Sequence, residues 1–290
     1  MELEIRNVTK RYDNGVTALD DVSCTIGTGM FGLLGPNGAG KSTLMRTIAT
    51  LQEADAGTIR LGDMDVLREK DRVRRVLGYL PQEFGVYPRT SAVDLMHHLA
   101  VLKGYTDGRQ RSEMVDHLLA KVNLYDVRKK AVSSYSGGMR QRFGIAQCLI
   151  GDPKLVIVDE PTAGLDPGER NRFYNILAEI GEQVIVILST HIVQDVRELC
   201  THMAIMDKGR ILYAGTTDDA LDLVSGRIYE RTIERSDLPT YEASHRVISH
   251  KLVGGKPLLH VFADDVPADG FAAAEPTLED VYFSKLNGHI

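Results

Sequence analysis

GLLGPNGAGKSTL, residues 32–44, sets an apolar run against a loop with three glycines, a proline, an asparagine and a lysine, after which an apolar pattern resumes. Gly35, four intervening residues, then Gly40, Lys41 and Ser42 fit G-x-x-x-x-G-K-[ST], the phosphate-cradling loop between a strand and a helix. The flanks agree with that context. Residues 31–34 suit a short buried strand, and Leu44, Ile48 and Leu51 fall at helical spacing over 42–51. Glycines let backbone N–H groups turn inward as an anion nest, the following helix offers its positive end, and Lys41 adds a mobile point charge. Ser42 supplies a hydroxyl suited to Mg²⁺, and a nucleoside triphosphate is the ligand this pattern predicts.

Working outward, Gly27-Thr28-Gly29-Met30-Phe31-Gly32 spells G-x-G-x-x-G. That dinucleotide fingerprint must follow a strand and open a helix, whereas here it precedes a strand and reads as a glycine turn. The 290 residues, 43% apolar, are enough for one large domain or two smaller ones with a full core. No apolar run approaches the roughly 18 residues of a spanning helix, and the polar, acidic start MELEIRNVTK is unlike a signal peptide, so a cytosolic chain is expected. Asn7-Val8-Thr9, a glycosylation sequon, has no role in such a chain. Cys24, Cys148 and Cys200 are too scattered for a disulfide framework or a zinc site and read as buried thiols. A net charge of −6 lacks the positive field of a nucleic-acid binder. The basic runs 72–75 and 128–130 read as solvated helix faces.

Along the chain, strands are predicted at 58–61 and 76–80. Ser91-Ala92-Val93-Asp94 resembles a capping box with Val93, Met96, Leu99 and Ala100 on one face, opening a helical insertion that runs to about residue 151. Residues 154–158 and 184–188 are continuous apolar runs typical of central parallel strands. The first ends in Asp159-Glu160, the second in Ser189-Thr190-His191. Adjacent acids at a strand end point to opposite sides, so one can reach a metal while the other reaches something beside it. Ser136-Gly137-Gly138 opens a further helix, by itself only a capping serine with two permissive glycines. Beyond a turn at 207–209, a strand near 211–213 and a short helix near 218–224, the composition shifts. Residues 245–262 then read as two strands around Gly254-Gly255-Lys256-Pro257.

Tyr12, GPNGAGKST, Gln82, SYSGGMRQR, LVIVDEPTAGLDP and STH stand in the order and at the spacing of an ATP-binding cassette domain. The chain resembles the ATPase subunit of an ABC transporter over about residues 1–222. The resemblance implies an α/β fold: a P-loop NTPase core of ABC type with an antiparallel β subdomain and a helical insertion, plus a small C-terminal accessory domain. The expected division is an ATP-binding domain over 1–224, with its helical subdomain at about 83–151, and the accessory domain over 225–290.

The same resemblance assigns roles. Tyr12 would stack on adenine, while Gly35, Pro36, Asn37, Gly38, Ala39, Gly40, Lys41, Ser42 and Thr43 form the phosphate loop and helix start. Ser42 and Gln82 would meet Mg²⁺, with Asp159 holding it through water. Glu160 would be the general base, and His191 would hydrogen-bond the γ-phosphate and help to position Glu160. Ser136, Gly137 and Gly138 resemble the signature that grips ATP held by a second cassette, and Asp166 lies in the loop crossing that interface. The usual signature is L-S-G-G-Q; here Tyr135 and Met139 replace its ends. The implied partners are a second cassette, identical or different, and an integral membrane permease facing residues 83–89. That places the chain on the cytoplasmic face of the membrane, with no nucleic acid partner. The C-terminal stretch 275–282 resembles exporter-type subunits. A soluble cassette ATPase of cofactor assembly, nucleic acid or ribosomes is the alternative. A G protein lacks support, since no N-K-x-D guanine signature is present.

Overall fold

The computed structural model describes residues 1–290 except Glu83, Val86, Tyr87 and Asp269. An antiparallel sheet comes first, in the order β2-β1-β4-β5, from β1 (Glu2–Arg11), β2 (Thr17–Gly27), β4 (Ala56–Leu61) and β5 (Met64–Asp65). The central sheet has the order β10-β9-β3-β8-β7-β6. It is built from β3 (Gly29–Leu34), β6 (Leu77–Leu80), β7 (Leu155–Asp159), β8 (Ile185–Thr190), β9 (His202–Asp207) and β10 (Arg210–Thr216). All its neighbours are parallel except β10, which pairs antiparallel with β9 at the edge.

Helices α1 (Lys41–Ile48), α2 (Lys70–Arg75), α3 (Ala92–Leu102), α4 (Gly108–Lys121), α5 (Gly137–Cys148), α6 (Pro167–Gly181), α7 (Val193–Leu199) and α8 (Thr217–Asp222) connect these strands. A third, antiparallel sheet follows in the order β12-β13-β11-β14, from β11 (Ile228–Thr232), β12 (Val247–Val253), β13 (Lys256–Phe262) and β14 (Ala272–Ala273). Helix α9 (Leu238–Ser244) lies between β11 and β12, and α10 (Leu278–Leu286) closes the chain.

The period-2 alternation of a strand explains how one sheet serves two cores. On β7 and β8, Val156, Val158, Val186 and Leu188 face the helices α3 to α7, while Leu155, Ile157, Ile185 and Ile187 face α1 and the first sheet. Burial on both faces is why these strands read as unbroken apolar runs. Because the strands are parallel, the C-terminal ends of β3, β6, β7 and β8 lie along one edge, where open α/β sheets place ligands.

Several local expectations change. The first helix stops at Ile48, not near residue 51, because Thr50 turns into the left-handed region at φ 61. The run 72–75 is indeed on a helix, α2. Residues 128–130 are not: they follow a single 3-10 turn, where the Arg128 guanidinium stacks 3.5 Å from the Tyr125 ring centroid and pairs with Asp116 at 3.3 Å. The glycine-rich stretch before β3 is a tight β2–β3 turn with Gly32 inside the strand. The cysteines are free, with Cys148 and Cys200 buried and Cys24 half-buried.

At the other end of the chain, α10 packs against α7 and α8 and buries Leu278, Val281 and Tyr282 in the helix-side core. Its capping box is formed by Thr277 and Asp280. Asp280 also receives His260 of β13, Nδ1 to Oδ1 at 2.8 Å, while Glu230 of β11 lies 3.5 Å from the other ring nitrogen. The hydrogen bond to Asp280 raises the His260 pKa above 6.5 against the effect of burial, with the Asp280 and Glu230 charges adding and Lys251 opposing. Burial favours the neutral Asp280 acid, but bonds from His260 and Thr277 hold its pKa below 3.8.

Stability from the raised histidine is complete below pH 6.5 and is lost as pH rises through its folded pKa; that from the depressed acid is lost as pH falls through its own. His260→Asn is therefore expected to lower the melting temperature most between pH 4 and 6.5, with the gap from wild type shrinking in alkali. A gap that stays constant across a melting series to pH 9 contradicts this coupling.

Candidate functional site

The loop between β3 and α1 shows why its residues are needed. Gly40 occupies the N-cap of α1 at φ 106, and no side chain caps the helix, so its first N–H groups are left for another acceptor. A Cβ at Gly40 would collide with the Ala18 carbonyl, and one at Gly35 with the Met206 carbonyl. Asn37, Gly38, Ala39, Gly40, Lys41, Ser42 and Thr43 line a cavity of about 500 Å³ with Val16, Thr17, Ala18, Gln82, Glu160 and Lys208. Lys41 is only 4% exposed, and its Nζ donates to the carbonyls of Gly35, at 2.7 Å, and Pro36, at 3.2 Å. Burial lowers its pKa, and the charges of Glu160 and Asp159 oppose that shift. The ammonium thus rests on its own loop, at the mouth of the uncapped helix.

Three further strand ends converge there. Glu160 directly follows β7, with Oε1 3.7 Å from Lys41 Nζ, an ion pair longer than a hydrogen bond. Its Oε2 accepts from Gln82 Nε2 at 3.3 Å and lies 3.3 Å from His191 Nδ1, the residue after β8. Glu160 is held at φ 47, in the left-handed region, by its N–H bond to the Ser189 carbonyl at 2.9 Å. Such a backbone costs on the order of 1–3 kcal/mol and persists only where the surroundings enforce it. Asp159, beside it on β7, is 4% exposed, and its Oδ1 has no hydrogen-bond partner among the described residues.

The remaining sequence-predicted residues fall in two places. Tyr12, just after β1, donates its hydroxyl to Gln52 Oε1 at 3.0 Å and lies 3.3 Å from Thr43 Oγ1, so its ring, 38% exposed, is tied to α1. Ser136, Gly137 and Gly138 do not line the loop cavity. Ser136 caps α5 by accepting from Met139 N at 3.2 Å, Gly137 faces open space, and Gly138 lies against the Glu169 side chain. Asp166 caps α6, accepting from Glu169 N at 2.9 Å.

Of the segment 83–89, Glu83, Val86 and Tyr87 lie outside the described residues. Sequence reading missed Val16, Thr17, Ala18 and Lys208 as cavity walls. Val16 precedes β2, Thr17 and Ala18 open it, Lys208 is in the β9–β10 turn, and no motif marks them.

The arrangement combines an anion-binding loop, a buried ammonium, and a carboxylate oriented by an imidazole and an amide. It can hold a polyphosphate and accept a proton beside it. Comparison with known proteins agrees. The ABC transporter family profile matches residues 19–163. The daunorubicin/doxorubicin resistance ATP-binding protein DrrA of Streptomyces peucetius is 32% identical over 91% of this chain and 78% of its own length. The phosphonates import ATP-binding protein PhnC 1 of Rhodopseudomonas palustris (strain HaA2) is 35% identical over 78% of this chain and 86% of its own. A solved ATP-binding subunit of an ABC transporter superimposes with a TM-score of 0.68 at 27% identity, covering 77% of this chain and 93% of its own.

Proposed function

This chain belongs to the ABC transporter family and is an ATPase, and we propose that it powers a separate membrane permease that exports its cargo. The observation that carries the reading is the meeting of Lys41, Glu160, His191 and Gln82 beside the uncapped start of α1. In this reading Glu160 takes a proton from the attacking water, His191 orients that carboxylate and bonds the γ-phosphate, and Lys41 leaves its loop carbonyls for the phosphates. Tyr12 stacks on the base. Ser42, Gln82 and Asp159 would hold Mg²⁺. Their hydroxyl, amide and carboxylate oxygens suit a hard cation, and the unpartnered, buried Asp159 Oδ1 is consistent with such a role. The ion would neutralise phosphate charge.

A pair of cassettes is part of the proposal, because Ser136 to Gly138 stand away from the cavity of their own chain with Gly137 open to an incoming ligand. Residues 1–224 are taken as the ATP-binding unit and 225–290 as the accessory one. A docked permease is supported by a cavity of about 850 Å³ walled by Tyr79, Pro81, Phe84, Leu99, Leu102 and Cys148. Among the described residues no helix is long and apolar enough to cross a membrane, so the spanning part would come from that partner at the cytoplasmic face. Export is favoured because the drug-resistance relative matches more of this chain than the import relative does.

Tagged protein purified from detergent-solubilised membranes should bring a polytopic membrane protein with it. Recovery of only soluble assembly factors or ribosomes contradicts the reading. In inverted vesicles carrying that complex, external ATP should drive a fluorescent amphiphilic drug inward, and outward movement rules out export.

A further inference from the structure

Asp195, on α7, is fully buried, and among the described residues its carboxylate is met by hydroxyl groups rather than by a cation. Thr162 Oγ1 donates to Oδ2 at 2.7 Å and Thr190 Oγ1 donates to the same oxygen at 2.8 Å, while the Tyr174 hydroxyl of α6 donates to Oδ1. All three donors are themselves buried. Thr162 is two residues after Glu160, and Thr190 directly precedes His191. Thr190 Oγ1 also accepts from Ile192 N at 3.0 Å, closing the turn around His191. One carboxylate oxygen therefore binds both the segment that carries Glu160 and the strand end that carries His191.

Packing alone does not require this. Burying a carboxylate is costly even when it is hydrogen-bonded, and an apolar residue would fill the same space at lower cost. What the charge adds is a fixed joint between two loops whose functional side chains must meet at 3.3 Å, one of them on a left-handed backbone. We propose that Asp195 is a positioning residue for hydrolysis, setting the distance and orientation of Glu160 and His191 through Thr162 and Thr190. The inference rests on the reading of Glu160 as the base. Asp195 is fully buried, and neither it nor Thr162, Thr190 or Tyr174 lines the cavity of the phosphate loop. Its loss should therefore slow turnover without weakening ATP.

The test compares kcat for MgATP with the affinity for a fluorescent ATP analogue, using the full chain. Asp195→Asn can accept only part of the hydroxyl set, and Thr190→Val removes one donor. Each should lower kcat by about 10- to 100-fold, the scale of a misplacement near 1 Å, with affinity changed less than about twofold. Thr190→Ser restores the hydroxyl and should recover most of the rate. Tyr174→Phe removes only the α6 donor and should keep kcat within about twofold even though its melting temperature falls. If Asp195→Asn does not fold, the Thr190→Val and Thr190→Ser pair decides. Wild-type kcat in Thr190→Val, or a loss in Tyr174→Phe equal to that in Thr190→Val, overturns the inference. Glu160→Gln run alongside separates the two levels: if it is inactive while Thr190→Val is normal, only the positioning role fails. If Glu160→Gln is fully active, the base lies elsewhere and the inference falls with it.

Discussion

Glu160→Gln should cut ATP hydrolysis by roughly 10²- to 10⁴-fold while ATP remains bound. The amide keeps the length of the side chain and can still meet Gln82 and His191, each 3.3 Å from Oε2 in the native chain, but it cannot accept the water proton. Binding survives because the loop, the uncapped α1 terminus and Lys41 are unaltered. With chemistry stopped, ATP should stay held by Lys41 of one chain and Ser136 of another. The variant is therefore expected to elute as a dimer in ATP and as a monomer without it. Normal phosphate release would place the base elsewhere; ATP binding without dimerisation, even in the presence of the permease, would sink the shared-site part of the proposal.

Lys41→Ala is expected to remove ATP binding at concentrations that saturate the wild type. Charge-assisted hydrogen bonds are worth about 1.5–3 kcal/mol each, so losing even one predicts about a 10- to 100-fold rise in Kd. The ammonium is bonded to the Gly35 and Pro36 carbonyls of its own loop, and alanine leaves those carbonyls in place. A near-native circular dichroism spectrum should therefore accompany the loss. Glu160 also loses its nearest cation, at 3.7 Å, so hydrolysis falls even at high ATP. A fluorescent-nucleotide titration with unchanged affinity would show that Lys41 does not face the phosphates.

The phosphate loop was legible because its determinants are local: glycines where N–H groups must turn inward, a lysine at the helix start, and a strand and helix on either side. The two central strands were legible for a similar reason, since burial on both faces leaves an unbroken apolar run in β7 and β8. The Asp159-Glu160 pair stood out as adjacent acids at a strand end, whereas the roles of Gln82 and His191 followed from the resemblance to a family, and no periodicity in the chain would have joined these residues.

Their meeting is a property of strand order. β3 lies between β8 and β9, and β7 between β8 and β6, so residues separated by 78 positions, Gln82 and Glu160, come within hydrogen-bond reach. Pairing of that kind depends on which surfaces fit each other across the whole sheet, information that no short window of sequence contains. For the same reason the return of α10 onto α7 and α8 was not foreseen, and Asp195 carried no signal in the sequence. Its burial, and the hydroxyls of Thr162, Thr190 and Tyr174 around it, exist only after three separate segments have packed together. The sequence alone determined the phosphate-binding chemistry, because a local backbone conformation creates it. Tertiary structure decided how Glu160 and His191 are held, because that depends on contacts between segments remote along the chain.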